Sequence, residues 1–226
     1  MARNRVRACD LPAERERLKR LFAIEEASRL EGRKCVAGVD EVGRGCLAGP
    51  VYAAAAVFAG FEPLSGLDDS KALVPEVRED LAVRIRARAL GVGLGEASAA
   101  EIDAIGIAPA TLLAMRRALE MLEKGGLFPD LVLFDAVTLP GLDAAQQAFI
   151  RGDARVACIA AASVVAKTER DRRMEALDAE WPFYGFSSHR GYGTAAHLAA
   201  LRRHGPSPEH RLTFDGVLPA SGRKAA

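Results

Sequence analysis

Asp40 and Glu41 stand side by side in the stretch KCVAGVDEVGRGCLAGPVYAAAAVF at 34–58, and Gly43, Arg44 and Gly45 follow them. Two adjacent carboxylates at the exit of an apolar run repel one another. At an effective dielectric of 20, unit charges 4 Å apart cost about 4 kcal/mol. A hard divalent cation removes that penalty, so acids converging at a strand end predict a hard-metal site. Glycine, with no Cβ, lets backbone approach a polar ligand. Acids for a cation beside bare backbone for an oxyanion suit phosphodiester chemistry. The plain alternative is a solvated hairpin turn.

Two further acids hold similar positions. Asp135 follows LVLF at 131–134, and Asp153 lies in RGDARVACIAAASVVAK, ahead of a helix rich in small residues. Either has a simple alternative, a loop opening for Asp135 and a helix N-cap for Asp153.

The elements that must position these acids read as follows. A helix starts at Asp10, with Pro12 in its first turn, carries an apolar stripe of Leu18, Leu21, Phe22 and Leu30, and ends near Gly32. Apolar runs at 35–39 and 51–58 make two strands whose short link implies a hairpin, with Asp40 and Glu41 opening the loop between them. A helix after Pro75 runs through Val77, Leu81 and Ile85, and a glycine-weakened strand covers 91–97. Ser98 caps one helix, and Pro109 begins another with Leu112, Leu113, Met115, Leu119 and Leu122 on its apolar side, stopped by Gly125-Gly126. Residues 131–134 form an apolar strand typical of a parallel sheet, and 148–150 another. A helix at 156–174 turns Ile159, Ala162, Val165 and Ala166 inward and Lys167, Arg170 and Arg172 outward. Residues 181–186 make an aromatic loop, and Thr194 caps a last helix to about His204. A hairpin followed by alternating strands and helices gives an α/β fold with a mixed five-stranded sheet. Sites in such sheets collect at the carboxyl ends of strands, where Asp40, Asp135 and Asp153 fall.

Other candidates are less specific. Asp69-Ser70-Lys71 offers a hydroxyl, a cation and turn amides to a phosphate, or is an exposed turn. Ser163 serves close helix packing or faces the site. Tyr192 in HRGYGT could stack on a sugar or base. His189, His197, His204 and His210 lack ligand or triad spacing and read as structural or surface residues.

Half of the 226 residues are apolar, enough for one large domain with a real core, and the net charge of +1 excludes a broadly basic protein. Basic excess is confined to both ends and to 151–173, whereas 62–103 is acidic. Cys9, Cys35, Cys46 and Cys158 form no CxxC pair and read as reduced thiols of a cytoplasmic protein. No apolar leader opens the chain, and its longest apolar run, 51–59, is too short to span a bilayer. The absence of GxxxxGK[ST], of GxGxxG after a strand and of GxSxG argues against nucleotide-binding folds and serine hydrolases.

With these motifs in place, the chain resembles bacterial ribonuclease HII. The resemblance rests on GVDEVGRGCLAGPVYAAAAVF, GLDDSKAL, LFDAVTLPGL, GDARVACIAAASVVAKTERDR and YGFSSHRGYGTAAHLAALRRHGPSPEHRLTF, in the family's order across most of 34–214. It implies an RNase H-like sheet with flanking helices, a helical C-terminal region at about 178–217 within a single domain, and a flexible tail at about 218–226. It implies that Asp40, Glu41, Asp135 and Asp153 are catalytic acids that bind Mg²⁺ or Mn²⁺. It implies that Gly43, Arg44 and Gly45 contact the ribonucleotide, that Tyr192 faces the sugar, and that Asp69, Ser70, Lys71 and Ser163 lie on the phosphate side. Ala136 departs from the glycine often found after the third acid, which bears on the loop that follows. The activity implied is two-ion endonucleolytic cleavage of RNA hybridised or joined to DNA, on the 5′ side of a ribonucleotide, leaving 3′-hydroxyl and 5′-phosphate ends. The substrates implied are RNA–DNA hybrids and ribonucleotide-containing DNA duplexes, with the enzyme a monomer that does not bind membrane. The alternatives are a ribonuclease HIII-like nuclease, for which the segment before Cys35 is too short to hold the usual added domain, and a non-catalytic nucleic-acid binder, which four clustered acids disfavour.

Overall fold

The computed structural model describes residues 12–68, 70 and 73–218. Asp10, Cys9, Asp69, Lys71 and the tail beyond Leu218 lie outside the described residues. Five strands form one sheet in the order β3-β2-β1-β4-β5, from β1 (Val36–Val42), β2 (Val51–Val57), β3 (Gly91–Ala97), β4 (Leu131–Asp135) and β5 (Ala145–Phe149). The first three pair antiparallel, and β1–β4 and β4–β5 pair parallel. The mixed sheet expected from the sequence is therefore present.

Side chains alternate across a strand, so each strand feeds two cores. On one face Val36, Ala54, Ala56, Leu131 and Leu133 meet α6 (Ala157–Glu180). On the other, Ala37, Val39, Ala53, Ala55, Val132 and Phe134 meet α5 (Ile107–Lys124). The alanine run of β2 is buried on both faces, which lets both helices lie close. Gly38 is required by the same closeness, since a Cβ there would run into the backbone of Cys158 and Ile159. A third cluster joins Leu47 and Ala48 to Met174, Leu177, Tyr184, Phe186 and Leu201, with α7 (Phe186–His189) and α8 (Ala195–His204) around it.

The remaining helices are α1 (Pro12–Leu21), α2 (Ala23–Leu30), α3 (Pro75–Arg88) and α4 (Ala99–Ile105). Ser98 caps α4 through a full capping box with Glu101, and the Thr194 side chain accepts from the His197 amide. Among the described residues, no helix is long and apolar enough to cross a membrane. Cys35, Cys46 and Cys158 are free thiols.

Several expectations are corrected. The first helix breaks into α1 and α2 at Phe22, which is buried, while Leu30 is 90% exposed because the last turn of α2 runs past the core surface. Strand β1 extends through Asp40 and Glu41, which pair with Ala54 and Ala53, so the two acids sit in the ladder and not in the loop. Strand β5 begins at Ala145 and ends before exposed Ile150, because pairing with β4 depends on backbone and accepts Gln146 and Gln147. Helix α6 continues past Met174 to Glu180, because Leu177 is buried in the third cluster. Arg170, expected on its polar side, is fully buried.

Candidate active site

Strand register brings two of the acids together. Val39 is level with Phe134 across the parallel β1–β4 pair, so one residue further on Asp40 and Asp135 stand abreast. Asp40 shares parity with Val36, and Asp135 with Leu131 and Leu133, so both point to the α6 face. Glu41, one residue on, belongs to the opposite parity. Asp135 is level with Phe149 at the end of β5, and a 3-10 turn, Gly152–Ala154, follows with Asp153 buried in it. The Gly152 amide donates to Asp135 Oδ1 at 2.7 Å, which ties the third acid to the turn carrying the fourth. Ala136 has φ 61, the left-handed conformation that glycine takes more easily at that position.

Burial and mutual repulsion set the protonation of the first two acids. Burial foremost, then the charges of Glu41 and Asp135, push the Asp40 carboxyl up to about 8 against the stabilising Ser163 hydroxyl and Glu41 amide. Glu41 is also raised, first by burial and then by Asp135, against its ion pair with Arg44 at 3.2 Å. Glu41 Oε2 is buried with no hydrogen-bond partner. A buried, orphaned carboxylate oxygen beside a carboxyl that resists ionisation fits a hard divalent cation, which would satisfy the first and let the second ionise. Among the described residues no three His, Cys, Asp or Glu side chains are arranged to hold one ion. The acids are engaged instead by protein partners, Ser163, Arg44 and the Gly152 amide. The fit thus rests on donor chemistry and burial.

The other predicted residues divide into two groups. Ser70 and Ser163 are buried and share a hydrogen bond of 2.9 Å, and Ser163 in turn supports Asp40, so this pair lies behind the first acid. Asp69 and Lys71 lie outside the described residues. Arg44, Gly45 and Tyr192 are exposed. The Tyr192 loop docks on the β1–β2 loop, since the Leu47 amide donates to the Gly191 carbonyl at 2.8 Å. Gly43 is buried at φ +94, and a Cβ there would run into Arg170 Nε, so the bare position accommodates an internal guanidinium. Gly45 has open space where a side chain would go.

Sequence reasoning missed Arg170 and Arg211, both fully buried behind this loop. It also missed Glu25, whose Oε1 accepts from the Cys158 amide at 2.7 Å in the first turn of α6. The carboxylate stands at the positive end of the helix dipole and fixes the start of the helix that carries Ser163.

A five-stranded sheet with an antiparallel β1–β2–β3 half, a parallel β1–β4–β5 half and acids abreast at β1 and β4 defines the RNase H-like class of nuclease folds. The ribonuclease HII family model matches residues 37–217. Ribonuclease HII of Delftia acidovorans is 55% identical over 182 residues, covering 80% of this chain and 76% of that protein. The ribonuclease H2 structure from Pyrococcus horikoshii aligns with a TM-score of 0.62 at 26% identity over 81% of this chain and 95% of the other. Bst-RNase HIII in complex with Mn²⁺ aligns with a TM-score of 0.62 at 18% identity over 92% of this chain and 72% of the other, a likeness of fold. The chain belongs to the ribonuclease HII family, and its activity is that of an RNase H-type endonuclease.

Proposed function

We propose that this protein is a divalent-metal-dependent endonuclease that cleaves the RNA strand of RNA–DNA hybrids and single ribonucleotides embedded in duplex DNA. Cleavage falls on the 5′ side of the ribonucleotide and leaves 3′-hydroxyl and 5′-phosphate ends. The observation that carries this reading is that Asp40 and Asp135 stand abreast, one residue beyond the Val39–Phe134 pair of β1 and β4, next to the orphaned Glu41 Oε2. Asp40, Glu41, Asp135 and Asp153 would hold Mg²⁺ or Mn²⁺; the Mn²⁺ complex of Bst-RNase HIII supports that choice. Such a cation, when bound, supplies Lewis-acid activation of water and neutralises charge on the phosphodiester.

The chain's own residues do the rest. Ser163 orients the Asp40 carboxyl, and the Gly152 amide orients that of Asp135. Arg44 and Gly45 offer exposed backbone amides to the nucleic acid, and Tyr192 packs against the sugar beside them. Ser70, Ser163 and the adjoining Asp69 and Lys71 flank the phosphate. No side chain acts as nucleophile, because water attacks. The enzyme works as a single catalytic domain with a helical C-terminal region, as a cytoplasmic monomer without membrane contact.

The test is a duplex with one embedded ribonucleotide, incubated with and without Mg²⁺ beside an all-DNA duplex. Metal-dependent nicking 5′ to the ribonucleotide alone is the expected result. Equal binding of hybrid in EDTA with no nicking would establish a non-catalytic binder instead.

A further inference from the structure

Arg170 of α6 and Arg211 of the C-terminal segment are both fully buried. Buried arginines normally face carboxylates, as Arg78 faces Asp171 at 2.7 Å in this protein. Among the described residues Arg170 and Arg211 have no such partner. Their N–H groups go to backbone carbonyl oxygens, of the β1–β2 loop and, for Arg170, also of Arg190. Arg211 donates to Gly43 O at 2.7 Å, Arg44 O at 2.9 Å and Gly49 O at 2.8 and 3.0 Å. Arg170 donates to Pro50 O at 3.2 Å, Ala48 O at 3.3 Å and Arg190 O at 2.9 Å. Arg190 lies two residues before Tyr192, so one guanidinium ties together both loops to which substrate contacts are assigned. Burial lowers Arg211 to about 10, which leaves it charged at neutral pH.

With its carbonyls drawn inward, the loop leaves the amides of Arg44 and Gly45 with no protein acceptor among the described residues. Two cationic groups without carboxylate partners lie directly behind those amides. Arg211 feels Asp103 only at longer range, without a direct ion pair, and a charge in a low-dielectric interior acts on a facing oxygen more strongly than one at the surface.

We propose that Arg170 and Arg211 are positioning and specificity-determining residues, which shape the 43–50 loop so that its free amides meet a ribose or phosphate oxygen and whose charge strengthens that contact. The inference rests on the nuclease reading given above. Lysine keeps the charge of arginine but cannot fork to several carbonyls in fixed geometry, so it separates shape from charge.

The experiment is single-turnover cleavage by wild type, Arg170→Lys and Arg211→Lys of a duplex with one ribonucleotide and of a duplex with a long RNA tract, with thermal melts and Mn²⁺ titrations alongside. The expected result is a fall of about tenfold or more in turnover per folded molecule at the lone ribonucleotide, a smaller fall on the RNA tract, and Mn²⁺ affinity within about twofold of wild type. Unchanged turnover per folded molecule on both duplexes overturns the proposal and leaves the arginines a structural role only. Failure of wild type to distinguish the lone-ribonucleotide duplex from all-DNA overturns the underlying reading instead. A measurement on wild type alone covers variants that do not fold: in Ca²⁺, the Nε–H NMR resonances of Arg170 and Arg211 shift on adding the lone-ribonucleotide duplex and stay in place with all-DNA. Identical responses to the two duplexes overturn the proposal.

Discussion

His197 and His210 face each other Nε2 to Nε2 at 3.0 Å in the C-terminal cluster, and their surroundings fix where each proton sits. The Ser207 amide donates to His210 Nδ1 at 2.9 Å, so the His210 proton is on Nε2. His197 Nδ1 lies 3.0 Å from the Tyr192 carbonyl and donates to it, which leaves His197 Nε2 bare to accept from His210. The relay requires both rings to be neutral.

Acid should therefore unmake it. Burial first, then the neighbouring His197 and His189, lower His210 to about 4, and burial lowers His197 as well. The unfolded chain then binds more protons than the folded one between the ordinary histidine value and about 4. The stability is full above pH 6.5 and is lost as pH falls toward 4, by about 3 kcal/mol for His210. Urea melts at pH 7.5, 5.5 and 4.5 should show this slope, and His210→Asn should flatten it. Parallel slopes would rule out the pair as its source.

Asp135→Asn should keep the fold and lose cleavage by at least ~10²-fold. The Asn carbonyl can still accept from the Gly152 amide, and removing a negative charge beside Asp40 relieves repulsion in the metal-free protein. The melting temperature without metal should be equal or higher. Turnover at the wild-type rate would remove Asp135 from the site.

Gly43 and Gly45 should respond differently to the same methyl group. At Gly43 an added Cβ meets Arg170 in a left-handed backbone, so Gly43→Ala should lose roughly 1–3 kcal/mol of stability along with activity. At Gly45 space is open, so Gly45→Ala should melt like wild type and weaken substrate binding alone. Denaturant curves paired with binding isotherms separate the two, and equal destabilisation would contradict the geometry.

Glu25→Ala should destabilise the protein by about 2 kcal/mol, because the Cys158 amide loses its acceptor within the core. Glu25→Gln should recover much of this, since an amide oxygen still accepts and the burial cost of charge that raises the Glu25 carboxyl disappears. Urea titration at pH 7 measures both, and a neutral Ala variant would show that the contact contributes little.

What the sequence made legible follows period and punctuation. The strand at Gly91–Ala97, the Ser98 and Thr194 caps and the acids at strand ends carry local signals. Arg170 was unreadable because its partners, Ala48, Pro50 and Arg190, are remote in sequence, and an arginine at a helical position ordinarily marks a wet face. Arg211 sits in a segment with no period at all. For the same reason a deletion from Trp181 onward, which on charge alone would only weaken substrate binding, would also strip Arg211 from the loop and uncover Met174 and Leu177. The start of β5 is silent in sequence because Gln146 and Gln147 carry no apolar alternation, and the Gln146 side chain is occupied by the backbone of Leu139.

The parallel pairing of β1 with β4 also bears on the order in which the molecule comes alive. Strands β1, β2 and β3 are neighbours in sequence and can zip together early, carrying Asp40 and Glu41 with them. Asp135 joins only when β4, beyond α5, closes a long loop against β1, the kind of distant contact that folds slowly. A half-made chain on the ribosome thus carries two of the acids without their counterparts. With the acids assigned as proposed above, cleavage would await completion of the sheet, when β4 sets Asp135 beside Asp40.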